Sequence, residues 1–269
     1  MSDIRTRLRQ THDDIVPPSD VMETLIGRRD RLERRKRDGR RRVVSAVVGV
    51  VVVAAAIGVV VHEMAQPSSS GGTVAVGDPI PAILPDARLA PGPHLIQLSG
   101  LQITFDVPEG WRGSDQGVIH SELGADGPNG ASLAFWTVSN VYTDPCNWRR
   151  SAARPTVGSS VNDLVAALAG QHGHPSGDRI KAEVDGFSAT ELEMTVPNTL
   201  AIDRCDDGQF HSWQSPQGDR DQEGPGQIDQ LFVINVRGIR VVIDAAFFPG
   251  TSRANRSALF GMVRSVHFL

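Results

Sequence analysis

The sequence predicts an α+β domain, an antiparallel sheet with packed helices in an αβα sandwich-like arrangement, standing outside a membrane behind one transmembrane helix. Three observations predict it. Nineteen consecutive residues, Val43 to Val61, carry no charge. Beyond Leu95, strand-length apolar runs recur, two pairs of them joined by Asp185-Gly186 and Arg237-Gly238. Between and after them lie two segments with the period of an amphipathic helix.

The uncharged run is polar only at Ser45. At about 1.5 Å per helical residue it spans roughly 28 Å, the thickness of a bilayer's hydrocarbon core. A cleavable signal peptide has a run of about 7–15 apolar residues and then a small-residue cleavage site. Here 42 residues precede the run, and Glu63 stands where a small residue belongs. The sequence therefore divides into a cytoplasmic Arg-rich tail (1–42), a transmembrane helix (43–62), a Pro/Gly/Ser-rich linker (63–94) and an extracytoplasmic domain (95–269).

Charge sets the orientation. The 269 residues carry a net charge of -4, which conceals +5 in residues 1–42 (13 basic, 8 acidic) and -9 in residues 62–269 (14 basic, 23 acidic). Ten basic residues occupy 28–42 and none occupies 62–80, which puts the N-terminus in the cytoplasm and the C-terminal part beyond the plasma membrane. Nucleic acid is not the expected partner of the arginine block. It lacks interleaved aromatics, is interrupted by Asp30, Glu33 and Asp38, and abuts the bilayer, where anionic lipid headgroups attract each basic residue by about 1 kcal/mol.

Within the tail, Pro17-Pro18 separates two short helical patterns. Ile4, Leu8 and Ile15 mark the first. Asp20 with Glu23 begins the second in the manner of a capping box, followed by Val21, Leu25, Ile26 and Leu32. Helices this short need a membrane or a partner to lie on, and Leu25 and Ile26 are the candidate partner face.

The linker, rich in Pro, Ser and Gly between Pro67 and Pro93, reads as an extended spacer poor in hydrogen bonds, with Ile80 and Ile83-Leu84 as the pieces able to pack on the domain. Leu101, Ile103, Phe105 and Val107 then alternate with polar residues as a half-buried strand stopped by Pro108. Ala131 to Val138 is apolar on both faces and predicts a central strand. Ser160 with Asp163 caps a helix presenting Val161, Leu164, Val165 and Leu168. Hairpins follow at 179–184/192–196 and 228–236/239–248. A last helix starts near Thr251 or Ser252 and presents Leu259, Met262, Val263 and Val266.

Cys146 and Cys205 are the only cysteines, and both fall in the part assigned outside. An even pair in an oxidising compartment predicts a disulfide, and the unpaired spacing argues against a metal or redox motif. His172-Gly173-His174 reads as a polar loop ending the helix before Pro175, not a metal site. Asp203, Asp206, Asp207 and Gly208 lack the spacing of a calcium loop and read as a solvated acidic turn. Asp219, Asp221 and Glu223 read as a mobile exposed loop. Trp148 and Trp213, in segments flanking the cysteines, either pack over the disulfide or form a ligand-binding face. No nucleophile elbow and no phosphate-binding glycine motif is present. The expectation is a protein that is not an enzyme, with no cofactor and no catalytic residue, acting as a binding or accessory module for an unidentified envelope ligand.

The run Ile103-Thr104-Phe105-Asp106-Val107-Pro108-Glu109-Gly110-Trp111, with a final helix entering Ser265-Val266-His267-Phe268, resembles the PsbP/Mog1/LpqN-type αβα domains found in many actinobacterial lipoproteins and membrane proteins. The resemblance covers residues 95–269 and implies a binding or accessory module with no shared catalytic residue. Only Lys36 and Lys181 among 27 basic residues are lysines, a usage similar to that of many actinobacterial proteins. The plan of Arg-rich tail, single helix and outer domain is similar to actinobacterial anti-sigma factors, which implies a sigma factor as the alternative partner of the tail. The tail has no cysteine, so it lacks the zinc motif of one class of those proteins.

Overall fold

The structure is a computed structural model that describes residues 79–120 and 129–269. The tail, with Leu25 and Ile26, the 43–62 helix and linker residues 63–78 lie outside the described residues. Among the described residues no helix is long and apolar enough to cross a membrane.

The chain forms a mixed α/β fold with antiparallel sheets and few helices. The strands are β1 (Gly92–Leu98), β2 (Leu101–Val107), β3 (Trp111–Ser114), β4 (Gly117–His120), β5 (Ala131–Trp136), β6 (Asn140–Val141), β7 (Ser176–Val184), β8 (Phe187–Thr195), β9 (Trp213–Gln214), β10 (Ile228–Val236), β11 (Ile239–Phe247) and β12 (His267–Phe268). The helices are α1 (Val161–Ala169) and α2 (Arg253–Arg264). Seven strands make the main sheet in the order β3-β4-β5-β11-β10-β8-β7, three make a second in the order β1-β2-β12, and β6 pairs with β9.

Alternation along the strands sends side chains to two cores. From β10, Phe232, Ile234 and Val236 join Ile103 and Phe105 of β2 and Leu259, Met262 and Val263 of α2. Leu231 and Val233 on the opposite face join Leu164, Val165 and Leu168 of α1 with Trp136 and Trp213. The main sheet is thus covered by α2 and the small sheet on one side and by α1 on the other, an αβα sandwich-like arrangement.

The local signals explain the elements. Ser160 accepts from the Asp163 amide at 3.0 Å while Asp163 accepts from the Ser160 amide at 3.2 Å, a reciprocal cap that starts α1. Those bonds to Ser160 hold the Asp163 carboxyl below its usual range. Ser252 caps α2 through the Asn255 amide. Both two-residue turns take positive φ at each residue, 50° and 76° at Asp185-Gly186 and 52° and 91° at Arg237-Gly238, the turn whose twist matches a hairpin.

Two expectations need correction. The central strand ends at Trp136, not Val138. The linker's described end is not a free spacer. Leu95 donates to the Pro81 carbonyl at 2.9 Å and Ile83 donates to the Leu95 carbonyl at 3.0 Å; Leu89 donates to Trp111 and Gly113 to Ala87. Ile83 is packed against the first core. Prolines lack an amide but keep a carbonyl, so a Pro-rich segment can still accept ladder bonds. This strap covers the outer edges of β1 and β3, and a Cβ at Gly113 would collide with the Leu84 carbonyl.

Candidate functional site

On the α1 side of the main sheet, three loop segments meet: 143–151, 202–215 and 217–227. Asp144 starts the first by accepting from the amides of Cys146 and Asn147 at 3.1 and 3.2 Å, which winds Pro145–Arg150 into a 3-10 turn. Cys146 is joined to Cys205 by a disulfide with 4.5 Å between Cα atoms. The expected disulfide is present. Asp206 adds further ties, its carbonyl accepting from Trp148 Nε1 at 2.9 Å and its carboxylate from the Arg149 amide at 3.1 Å. Arg149 also pairs with Asp207. The acidic turn therefore clamps the first segment rather than standing free in solvent.

Half-buried Trp148 stacks on His211 with ring centroids 4.4 Å apart and planes 13° apart, and the Arg149 guanidinium lies 5.6 Å from its ring. His211 Nδ1 is 3.3 Å from Asp219 Oδ2, and Tyr142 donates to the same oxygen at 2.7 Å while accepting from Gln214 at 3.1 Å. Burial first, then Asp219, pushes the Tyr142 phenol up to about 12, so the ring is a neutral donor. This rim keeps Asp219 at 31% and Arg149 at 57% side-chain exposure. It presents an aromatic edge beside the Asp219 carboxylate and the Arg149–Asp207 pair.

Trp213 does not belong to the rim. It is 1% exposed and meets Trp136 edge to face at 5.9 Å. Placing its indole in the second core corrects the candidate ligand face at that position. β9 pairs with β6 and turns the ring inward.

Beneath the rim lies a charged cluster not foreseen from the sequence. Arg220 donates through Nε to Asp244 at 2.7 Å, through Nη2 to Asp229 at 3.1 Å and through Nη1 to the Asp221 carbonyl at 2.8 Å. Asp229 and Asp244 are buried. Gln227 donates to Asp229 at 2.6 Å and to Gln222, which donates to Ser212 at 2.7 Å. Burial opposes the Arg220 charge, but Asp244, Asp229 and Glu223 outweigh it and raise its pKa. Burial pushes Asp244 up to about 7, against the attraction of Arg220 and with the repulsion of Asp229. The 217–227 segment is therefore fastened to the sheet by the buried cluster of Arg220, Asp229 and Asp244, correcting the expectation of a mobile exposed loop. A lone carboxylate in Val241-Val242-Ile243-Asp244-Ala245-Ala246 was the available signal, since an apolar strand tolerates a charge only with a partner.

His174 also departs from expectation. His172 remains exposed, whereas His174 is 1% exposed. Gln171 donates to the carbonyls of Tyr142 and Ser212 at 2.8 and 2.6 Å, which fixes its oxygen as the acceptor for His174 Nδ1 at 3.0 Å. The ring is therefore the Nδ1–H tautomer, and burial lowers its pKa to about 4.

Among the described residues no three His, Cys, Asp or Glu side chains are gathered as a metal ion needs. A shallow groove between α2 and the β7–β8 turn is floored by Val184, Phe232 and Val263 and rimmed by Glu183, Asp185 and Arg264.

No family model and no curated protein matches this chain. Among solved structures, cyanobacterial PsbP (CyanoP) from Synechocystis sp. PCC 6803 is similar at 12% identity, covering 74% of this chain and 99% of that one, with a TM-score of 0.33.

Proposed function

We propose that this chain is a single-pass protein of an actinobacterial plasma membrane, whose extracytoplasmic domain is a non-catalytic binding or accessory module of the PsbP/Mog1/LpqN type. The observation that carries the reading is the Cys146–Cys205 disulfide. It supports an oxidising compartment for the domain, in agreement with the basic block on the N-terminal side of the uncharged run. The rim of Trp148, His211, Tyr142 and Asp219 beside that disulfide is the face offered to an envelope ligand. Anionic lipids are the proposed partners of the arginine collar.

The second reading rests on the capping-box-like start and apolar Leu25 and Ile26 in the tail: a transmembrane regulator whose tail holds a sigma factor. One experiment separates them. Residues 1–62 are replaced by an unrelated single-pass anchor, and a deletion strain is complemented. The first reading expects function to persist; its loss with surface display intact moves function to the tail.

A further inference from the structure

The main sheet is treated differently at its two ends. The β3 edge is covered by the 84–89 strap, which also has Arg88 bridged to Arg112. At the opposite end, among the described residues, β7 pairs only with β8, and its nine residues leave a long open edge. Such an edge is a row of unpaired backbone donors and acceptors and templates further pairing.

From Arg179 to Val184 β7 keeps an uninterrupted register with β8; its one irregularity lies between Ser176 and Arg179. A two-residue turn makes Val184 and Phe187 a hydrogen-bonded pair, so the amides and carbonyls of Ile180, Ala182 and Val184 face β8. Those of Arg179, Lys181 and Glu183 face outward. Val184 and Ala182 pack toward the first core, Ile180 on the same side is 54% exposed, and Lys181 and Glu183 are exposed on the other side.

We infer that β7 pairs antiparallel with β7 of a second copy, about a two-fold axis at Ala182, joining two main sheets into one. An axis through an antiparallel pair must pass between a residue and its own copy, which restricts the registers. Centring on Ile180 sets Arg179 against Lys181, and centring on Lys181 sets like charges against each other. Centring on Ala182 opposes Lys181 to Glu183 twice and Ile180 to Val184 twice. Small Ala182 then sits at the close, non-hydrogen-bonded pair. Lys181 and Glu183 exchange outward backbone bonds while their side chains pair, and exposed Ile180 gains an apolar neighbour. The strand is self-complementary in charge, in shape and in hydrogen-bonding parity, which selects a second copy over a foreign strand as the occupant.

The test uses the full chain with Ala182→Cys, oxidised and run without reductant. Across the axis the two Cα atoms lie about 4.5 Å apart, inside the disulfide range. In a chain with Ile180→Cys instead, the two copies are about 14 Å apart and stay unlinked. The two cysteines of the chain are already bonded to each other and do not compete. Adding Lys181→Glu to Ala182→Cys lowers covalent dimer about tenfold, and adding Glu183→Lys as well restores it. Linking at Ala182→Cys no greater than at Ile180→Cys overturns the proposal, which is also the outcome if the edge serves a foreign strand. Failure of the charge swap to restore linking overturns this register. These outcomes are independent of the anchor replacement that tests the function.

Discussion

His174 and Asp244 lie on the α1 side of the main sheet, and burial moves their proton affinities in opposite directions. The folded chain keeps His174 neutral down to about 4, so its contribution to stability is present above the ordinary value of 6.5 and is lost as pH falls. Asp244 holds its proton up to about 7 where the unfolded chain releases it near 3.8. Its contribution is present at low pH and is lost as pH rises. Arg220, Asp229 and Glu223 are the other charged groups acting on the cluster. Between these limits the unfolded chain carries a proton on His174 and the folded chain carries one on Asp244, so the two slopes oppose. Asp244→Asn removes one of them. From about pH 6.5 to 4.5 the variant should lose on the order of 2 kcal/mol more stability than the parent, read by urea unfolding; parallel pH profiles would contradict the protonated Asp244. Apart from the lone carboxylate of Asp244 in an apolar strand, this cluster was not legible in the sequence. Polar residues in a Gly/Pro/Gln-rich segment predict exposure, and the Arg220–Asp244 contact joins residues 24 apart.

At the scale of elements, the local signals succeeded where structure is local. The reciprocal Ser160/Asp163 cap, the strict alternation in β2 and the two positive-φ turns each fix an element within a few residues of chain. A third such turn, Ser99-Gly100 between β1 and β2, has a weaker sequence signal because β1 alternates poorly, with half-exposed Leu95 and Ile96 beside buried His94. The strap over β1 and β3 is invisible to local reasoning, since its bonds are all to distant strands. The disulfide spans 59 residues and joins the 143–151 loop to the 202–215 loop. On the chain-entropy model, Cys146→Ala with Cys205→Ala should cost roughly 4 kcal/mol. The urea midpoint of the double variant checks this, and a loss under about 1 kcal/mol would mean that the Asp206 bonds to Trp148 and Arg149 already hold the loops together.

For the molecule as a whole, the layer arrangement followed from composition and period, because one seven-stranded sheet with two apolar faces must be covered on both. The aromatic rim was half legible. The spacing to the cysteines drew attention to Trp148, which is half-buried and stacks on His211. Trp213 looked equivalent because the sequence does not say which face of a two-residue strand turns inward. The charge division of the chain, +5 before the uncharged run and -9 after it, remains the strongest whole-molecule signal. The proposed topology sets the disulfide-closed domain outside the membrane on a single anchor. Protease treatment of intact cells expressing the chain with different epitope tags at its two ends tests this most directly. With that topology the C-terminal tag is removed while the N-terminal tag stays protected in the membrane fraction. A C-terminal tag that is protected in intact cells and cut only after lysis would contradict it.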